Sequence, residues 1–196
     1  DAVKDNLNDI IKDGSSLGEA LLYLNEAQRQ TVLDAVKDNI EDGSGLGEAL
    51  EYLNEAQRQT VLDAVKDNLN DIIEDGSSLG EALRYLNEAQ RQTVLDAVKD
   101  NLNDIIKDGS SLGEALLYLN EAQCKIVLNA VKDNLSVIIK NGYSLAQALK
   151  FLNESKCKIV LNAVKDNLSV IIKNYFNLDQ TLKYLTEAQR GILLNA

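Results

Sequence analysis

The sequence predicts an all-α fold, an α-solenoid of about six two-helix repeats, each a long helix followed by a short one, wound as a right-handed superhelix. Three observations predict it. The 196-residue chain repeats itself with a period of 33 residues. Within each copy the apolar residues recur with a period of about 3.6, the signature of a helix with one buried face. Proline, which would break such a helix, is absent.

The repeats form one domain, residues 1–196. It comprises a partial copy 1–23, units 24–52, 53–85, 86–118, 119–151 and 152–184, and a partial copy 185–196. The copies from Leu53 and Leu86 differ only at Glu74/Lys107 and Arg84/Leu117. In the copy from Leu86, Asn87 suits an N-cap and Gln90 its capping-box partner. Val94, Leu95, Val98, Leu102, Ile105 and Ile106 then continue one apolar face. Gly109 is expected as a left-handed helix stop. Ser111 and Glu114 are expected to cap a short helix carrying Leu112, Ala115, Leu116 and Tyr118, with equivalents at Ser16/Glu19, Ser78/Glu81, Ser144/Gln147 and Asn177/Gln180. The copy from Leu24 has 29 residues, because LNDIIKDG has shrunk to IEDG. Losing four residues turns a helix by about 400°, nearly one full turn, so the apolar face stays in phase. This favours a continuous long helix shortened by a turn, with a kink near DNLND as the alternative. Both chain ends fall in mid-repeat, and exposed apolar seams there are expected to stack end to end.

The motif VKDN recurs from Val3, Val36, Val65, Val98, Val131 and Val164. On a continuous helix its Val is buried, its Lys and Asp face outward, and its Asn lies at the seam. Asn39, Asn68, Asn101, Asn134 and Asn167 are expected to form an inter-repeat ladder, or else to line a groove and contact a ligand. Asp63, Asp67 and Asp71 would share a face, as would Asp96, Asp100 and Asp104, and Asp1, Asp5 and Asp9: a solvated acidic row. Arg29, Arg58, Arg91 and Arg190 occupy one helix position, where their stems are expected along the seam with the guanidinium in water. Cys124 and Cys157 stand there in two copies, too far apart to bridge.

Net charge is −11, which argues against holding a phosphate backbone. It is unevenly spread: residues 121–196 carry 6 acids and 10 bases, a net of +4. In these later copies the acidic row becomes Val137 and Val170, and DGSS becomes NGYS and then NYFN. Val137, Lys140, Tyr143, Val170, Lys173, Tyr175 and Phe176 are therefore the candidate partner-binding residues, the rings being expected on loops. The chain has no histidine, no glycine loop for phosphate and no Cys/His cluster of zinc spacing. No enzyme activity, cofactor or metal is expected. No apolar run reaches the ~20 residues that span a membrane, and no signal peptide is visible.

The pattern LNEAQRxxVLxAVKDNLxxII followed by SLxxALxYL, seen most clearly as LTEAQRGILLNA at 185–196, resembles helical repeats of type IV-secreted effectors of intracellular bacteria. The resemblance implies a host-directed binding scaffold, in bacterial cytoplasm or delivered to a host cytosol; two reduced cysteines suit either compartment. The expectation at this level is a non-enzymatic scaffold for a protein partner. The alternative is a spacer holding other domains apart. DNA-reading repeats of the TAL-effector type, with two helices and a similar length, are opposed by the uniform DGSS loops and the acidic charge, so a nucleic-acid partner is not expected.

Overall fold

The computed structural model describes residues 6–196. The first VKDN, from Val3, and Asp1 and Asp5 of the acidic row lie outside the described residues. Every regular element among those described is helical, and the repeats form an α-solenoid. Two units are distinguished, one formed up to Glu74 with Glu81–Val98, the other by Asp75–Gly80 with Lys99–Ala196. In each, helices of the EAQR type form a first row and helices of the GSSLGEAL type a second. The first row of the first unit contains Glu26–Val36, Glu55–Val65 and Glu88–Val98; that of the second contains Glu121–Ala130, Glu154–Val164 and Glu187–Leu194. Second-row helices Gly14–Leu22 and Gly43–Glu51 pack together in the first unit, and Gly109–Leu116, Gly142–Leu149 and Tyr175–Lys183 in the second.

The long helix is not continuous. Glu55–Val65 ends at the Val of VKDN, Lys66–Asn68 is a 3-10 turn, and Leu69–Ile72 is one separate α-turn. The same break follows Val98 and Val164. Asn68 (φ −107°, ψ 2°) and Asn167 (φ −105°, ψ −3°) sit in the bridge region between helix and strand conformations. Asn is a poor helix-interior residue that tolerates turns, which accounts for its place in the motif. The break still buries Leu69, Ile72 and Ile73 beside Val65, so the apolar spacing reads as one helix although the backbone is interrupted. It also explains the short copy. Lys37–Asn39 runs directly into extended Ile40 and the next helix at Gly43. The deletion removed the one-turn LNDI module and left its neighbours intact. Asp63, Asp67 and Asp71 accordingly lie on three different elements and do not form a row on one helix face.

The second-row helices are capped three residues earlier than expected. Asp108 Oδ1 accepts from Ser111 N at 2.9 Å, and Asp13, Asp75, Asn141 and Asn174 do the same in their copies. Gly109 is therefore the first residue of a helix, and no described glycine has positive φ. Its reason is closeness: a Cβ there would lie 1.9 Å from the Ser144 carbonyl oxygen of the next helix. One helical turn on, a Cβ at Gly113 would meet the Gln147 carbonyl oxygen at 2.8 Å. The pair lets two backbones touch.

Gly109→Ala forces those backbones apart and should cost about 2–3 kcal/mol in urea unfolding. Gly191→Ala, where nothing lies within 4 Å, should instead stabilise by up to about 1 kcal/mol.

Candidate nucleic-acid interface

First-row helices are held in register by a polar seam that starts from the capping box. In Asn87-Glu-Ala-Gln90, Asn87 Oδ1 accepts from Gln90 N at 2.8 Å, and Gln90 Oε1 accepts from Asn87 N at 3.2 Å. The amide of Gln90 has a second end, and Nε2 donates to Glu55 O of the preceding copy at 2.9 Å. Asn87 Nδ2 likewise donates to the Glu55 carboxylate at 2.6 Å. Gln57 and Asn54 repeat both contacts to Glu26. These glutamines are buried, so one side chain satisfies its own helix N-terminus and the neighbour's backbone.

The arginine one residue further on closes the second-row helix. Arg58 Nε donates to Leu50 O at 3.0 Å, and Arg91 Nε to Leu83 O at 3.0 Å. The guanidinium is spent on a helix C-terminus, not left in water as the sequence suggested. Where Cys replaces it, the neighbour compensates. Lys156, standing where other copies have Gln, is buried and donates Nζ to Leu116 O at 3.1 Å and Leu117 O at 2.7 Å. Gln189 Nε2 reaches Leu149 O and Leu152 O beside Cys157. Burial pushes the Cys124 thiol up to about 11, against the pull of Lys156, and raises Cys157 as well.

With the helices so placed, each presents three outward residues one helical turn deep. In the first unit these are Gln30, Thr31 and Asp34; Gln59, Thr60 and Asp63; Gln92, Thr93 and Asp96. The Gln and Asp are tied to each other, Gln59 Nε2 donating to Asp63 Oδ1 at 2.8 Å, with the same bond from Gln30 and Gln92. In the second unit the set becomes Lys125, Ile126 and Asn129; Lys158, Ile159 and Asn162; Gly191, Ile192 and Asn195. Lys125, Asn129, Lys158 and Asn162 are all exposed. The first two repeats of this set thus change from one negative charge to one positive charge each. They border shallow grooves: one of about 380 Å³ is lined by Lys125, Asn129, Lys132, Ile159 and Asn162, and another of about 490 Å³ by Lys158, Asn162, Ile192 and Asn195. The sequence carried a signal for this surface, LDAV becoming LNAV, but nothing local distinguishes that exchange from drift on a solvated face.

The residues singled out from sequence lie elsewhere. Val137 and Val170 sit on one-turn helices, Tyr143 in the first turn of Gly142–Leu149, and Tyr175 and Phe176 at the start of Tyr175–Lys183, so the rings are on helices. Lys140 and Lys173 are exposed just before them. Asn39 Nδ2 donates to Ile11 O at 2.6 Å and Asn134 Nδ2 to Asn103 Oδ1 at 2.9 Å. Asn68 and Asn167 are exposed in their turns and Asn101 is half-buried. Among the described residues no group of three or more His, Cys, Asp or Glu is placed to hold a metal, and no helix is long and apolar enough to cross a membrane.

These features define a helical-repeat protein with a basic, amide-bearing groove along one row of helices. No family model matches the sequence, and no curated protein matches it. Solved structures do match, and they are Pumilio-repeat (PUF) proteins. PUF-8 in complex with PBE-RNA is 15% identical at a TM-score of 0.68, covering 99% of this chain and 64% of that one. The Puf3 RNA-binding domain bound to the Cox17 RNA 3′ UTR recognition sequence site A is 16% identical at 0.66, covering 98% and 63%. At that identity the likeness establishes the helical-repeat fold. This chain spans less than two thirds of either.

The comparison corrects the functional expectation. Both neighbours were solved with RNA, whereas the sequence alone had favoured a protein partner first, a spacer second and nucleic acid last. The charge asymmetry is visible in the sequence, but the helix face that bears it depends on how the repeats pack, and the outward changes fall on helices as well as on the DGSS segments. Charge acts within about 10 Å in salt, and residues 121–196 hold half of the 20 bases but only 6 of the 31 acids.

Two outcomes check the seam. Cys124→Arg and Lys156→Gln should each destabilise by about 1–2 kcal/mol, while the double variant, which rebuilds the arrangement of the other copies, should recover most of that stability in a double-mutant cycle. With a pKa of about 11 for Cys124, only about one thiol in a thousand is ionised at pH 8. Native protein should therefore react with a disulfide reagent far more slowly than urea-unfolded protein.

Proposed function

We propose that this chain is a non-catalytic, single-stranded RNA-binding repeat protein, with the strand lying across the first-row helices of its second unit. The observation that carries the reading is the exchange of Gln and Asp for Lys and Asn at Lys125/Asn129 and Lys158/Asn162, beside grooves between successive helices. Lysine supplies the phosphate contact, and the asparagine amide offers both a donor and an acceptor to a base edge. Ile126 is 40% exposed on the same face and provides an apolar surface for a base. Helical repeats that take one base each, read by two or three side chains, are an established mode of RNA recognition. The fold neighbours solved with RNA support it. In the first unit the Gln–Asp pairs are self-satisfied and acidic, so those repeats contribute less to phosphate binding.

The test is fluorescence anisotropy with a labelled RNA of random sequence. Lys125→Glu with Lys158→Glu should weaken binding at least tenfold, and the slope of log K against log salt should become shallower by about 0.7 for each phosphate that is no longer neutralised. Asp63→Lys should leave affinity equal or higher. Unchanged binding by the double Glu variant would overturn the reading.

A further inference from the structure

A second surface of the same unit has changed character together with the groove. It lies where each one-turn helix leads into the next second-row helix. In the copy at 71–75 this edge carries Asp71, Glu74 and Asp75, a net of −3; at 104–108 it carries Asp104, Lys107 and Asp108, a net of −1. At 137–141 it carries Val137, Lys140 and Asn141, and at 170–174 Val170, Lys173 and Asn174, a net of +1 each. The N-cap survives each exchange, since Asn141 and Asn174 accept the same backbone bond that Asp108 accepts. Helix capping therefore does not require the loss of charge.

Aromatic rings arrive at the same two copies. Tyr143 replaces a Ser and is 50% exposed; Tyr175 and Phe176 are 81% and 66% exposed. Tyr175 stands where Gly109 and Gly142 face the next helix, and it turns its ring to solvent. Tyr143 is held edge-on to Tyr184, centroids 5.9 Å apart at 81°, and Lys183 Nζ lies 5.5 Å from the Tyr184 ring. Val137 and Val170 add apolar surface, 66% and 65% exposed. Exposed rings among lysines, with the acids of the 71–75 and 104–108 edges replaced and one exposed carboxylate, Asp179, left a turn beyond Tyr175, complement a polymer that carries both phosphates and unstacked bases. A duplex offers the phosphates but keeps its bases stacked, so a single strand fits and a double helix does not.

We propose that Tyr143, Tyr175 and Phe176, with Lys140 and Lys173, form a stacking platform for single-stranded RNA that extends beyond the groove of the first-row helices. The platform rests on the RNA-binding reading of the chain. It adds length-dependent affinity: a short RNA fills the groove, and a longer one also lays bases on the rings.

The experiment uses the 196-residue chain and random-sequence RNAs of about 4 and about 18 nucleotides, the shorter allowing roughly one base for each first-row helix of the second unit. Tyr175→Ala with Phe176→Ala should weaken binding of the long RNA by about 10-fold or more and leave the short RNA within about twofold. Tyr175→Phe with Phe176→Tyr, which keeps both rings, should bind the long RNA as the parent does; weakened binding there would mean a structural effect and overturn the platform. Equal affinity of the Ala variant and the parent for the long RNA would also overturn it, and the groove reading would survive if Lys125→Glu with Lys158→Glu still abolished binding. Failure of the parent to bind either RNA would defeat both.

Discussion

The constraint on which this structure depends is that helix ends must be satisfied across repeat boundaries. Each first-row helix begins with donors that its own turn cannot use, and each second-row helix ends with unused acceptors. The buried amide of Gln57 or Gln90 accepts from the N-cap N–H of its own helix through Oε1 and donates to the preceding repeat's backbone through Nε2. Arg58 and Arg91 close the second-row C-termini. Because these bonds are buried and directional, leaving one unmade costs about 1–3 kcal/mol, and that cost fixes how one repeat sits on the next. The glycines of the second row act in the same direction, by permitting one close approach and no other.

Drift in the later copies respects this constraint. Losing arginine at Cys124 would leave Leu116 O without its guanidinium, yet Lys156 of the next copy supplies an ammonium there. Losing it at Cys157 is met by Gln189 in the same manner. Polar satisfaction is thus maintained across the seam while the residue that provides it moves from one repeat to the next. Outward residues carry no such constraint, so Gln, Thr and Asp were exchanged for Lys, Ile and Asn without disturbing the fold. Repeats of fixed spacing with freely variable outward positions suit recognition of a repeating polymer.

Much of the fold was legible in the chain. The period of 33, the cap at Asn87 and Gln90 and the burial of Val94, Leu95 and Val98 all follow from local sequence, because each depends on residues a few positions apart. The break at KDN was not, since Val65, Leu69, Ile72 and Ile73 are buried either way and periodicity reports burial more directly than backbone continuity. The second-row caps were misplaced for a similar reason: Ser111 resembles a cap, but it is the third residue of a helix that Asp108 opens. The groove was not legible either: the positive balance of residues 121–196 can be read from the sequence, but that Lys125 and Asn162 meet on one face depends on packing between repeats.

The sequence by itself determined the repeat, the helices and their apolar faces, because these arise from local propensity and spacing. It also marked, in Tyr143, Tyr175 and Phe176, a surface that had departed from the other copies. Tertiary structure alone decided the second contact of Gln90 and what Arg58, Gly109 and Lys156 are for, since each acts on a backbone atom outside its own helix. It decided equally that Lys125, Asn129, Ile159 and Asn162 line one groove. Two of these belong to one repeat and two to the next, and only packing of the helices brings them together.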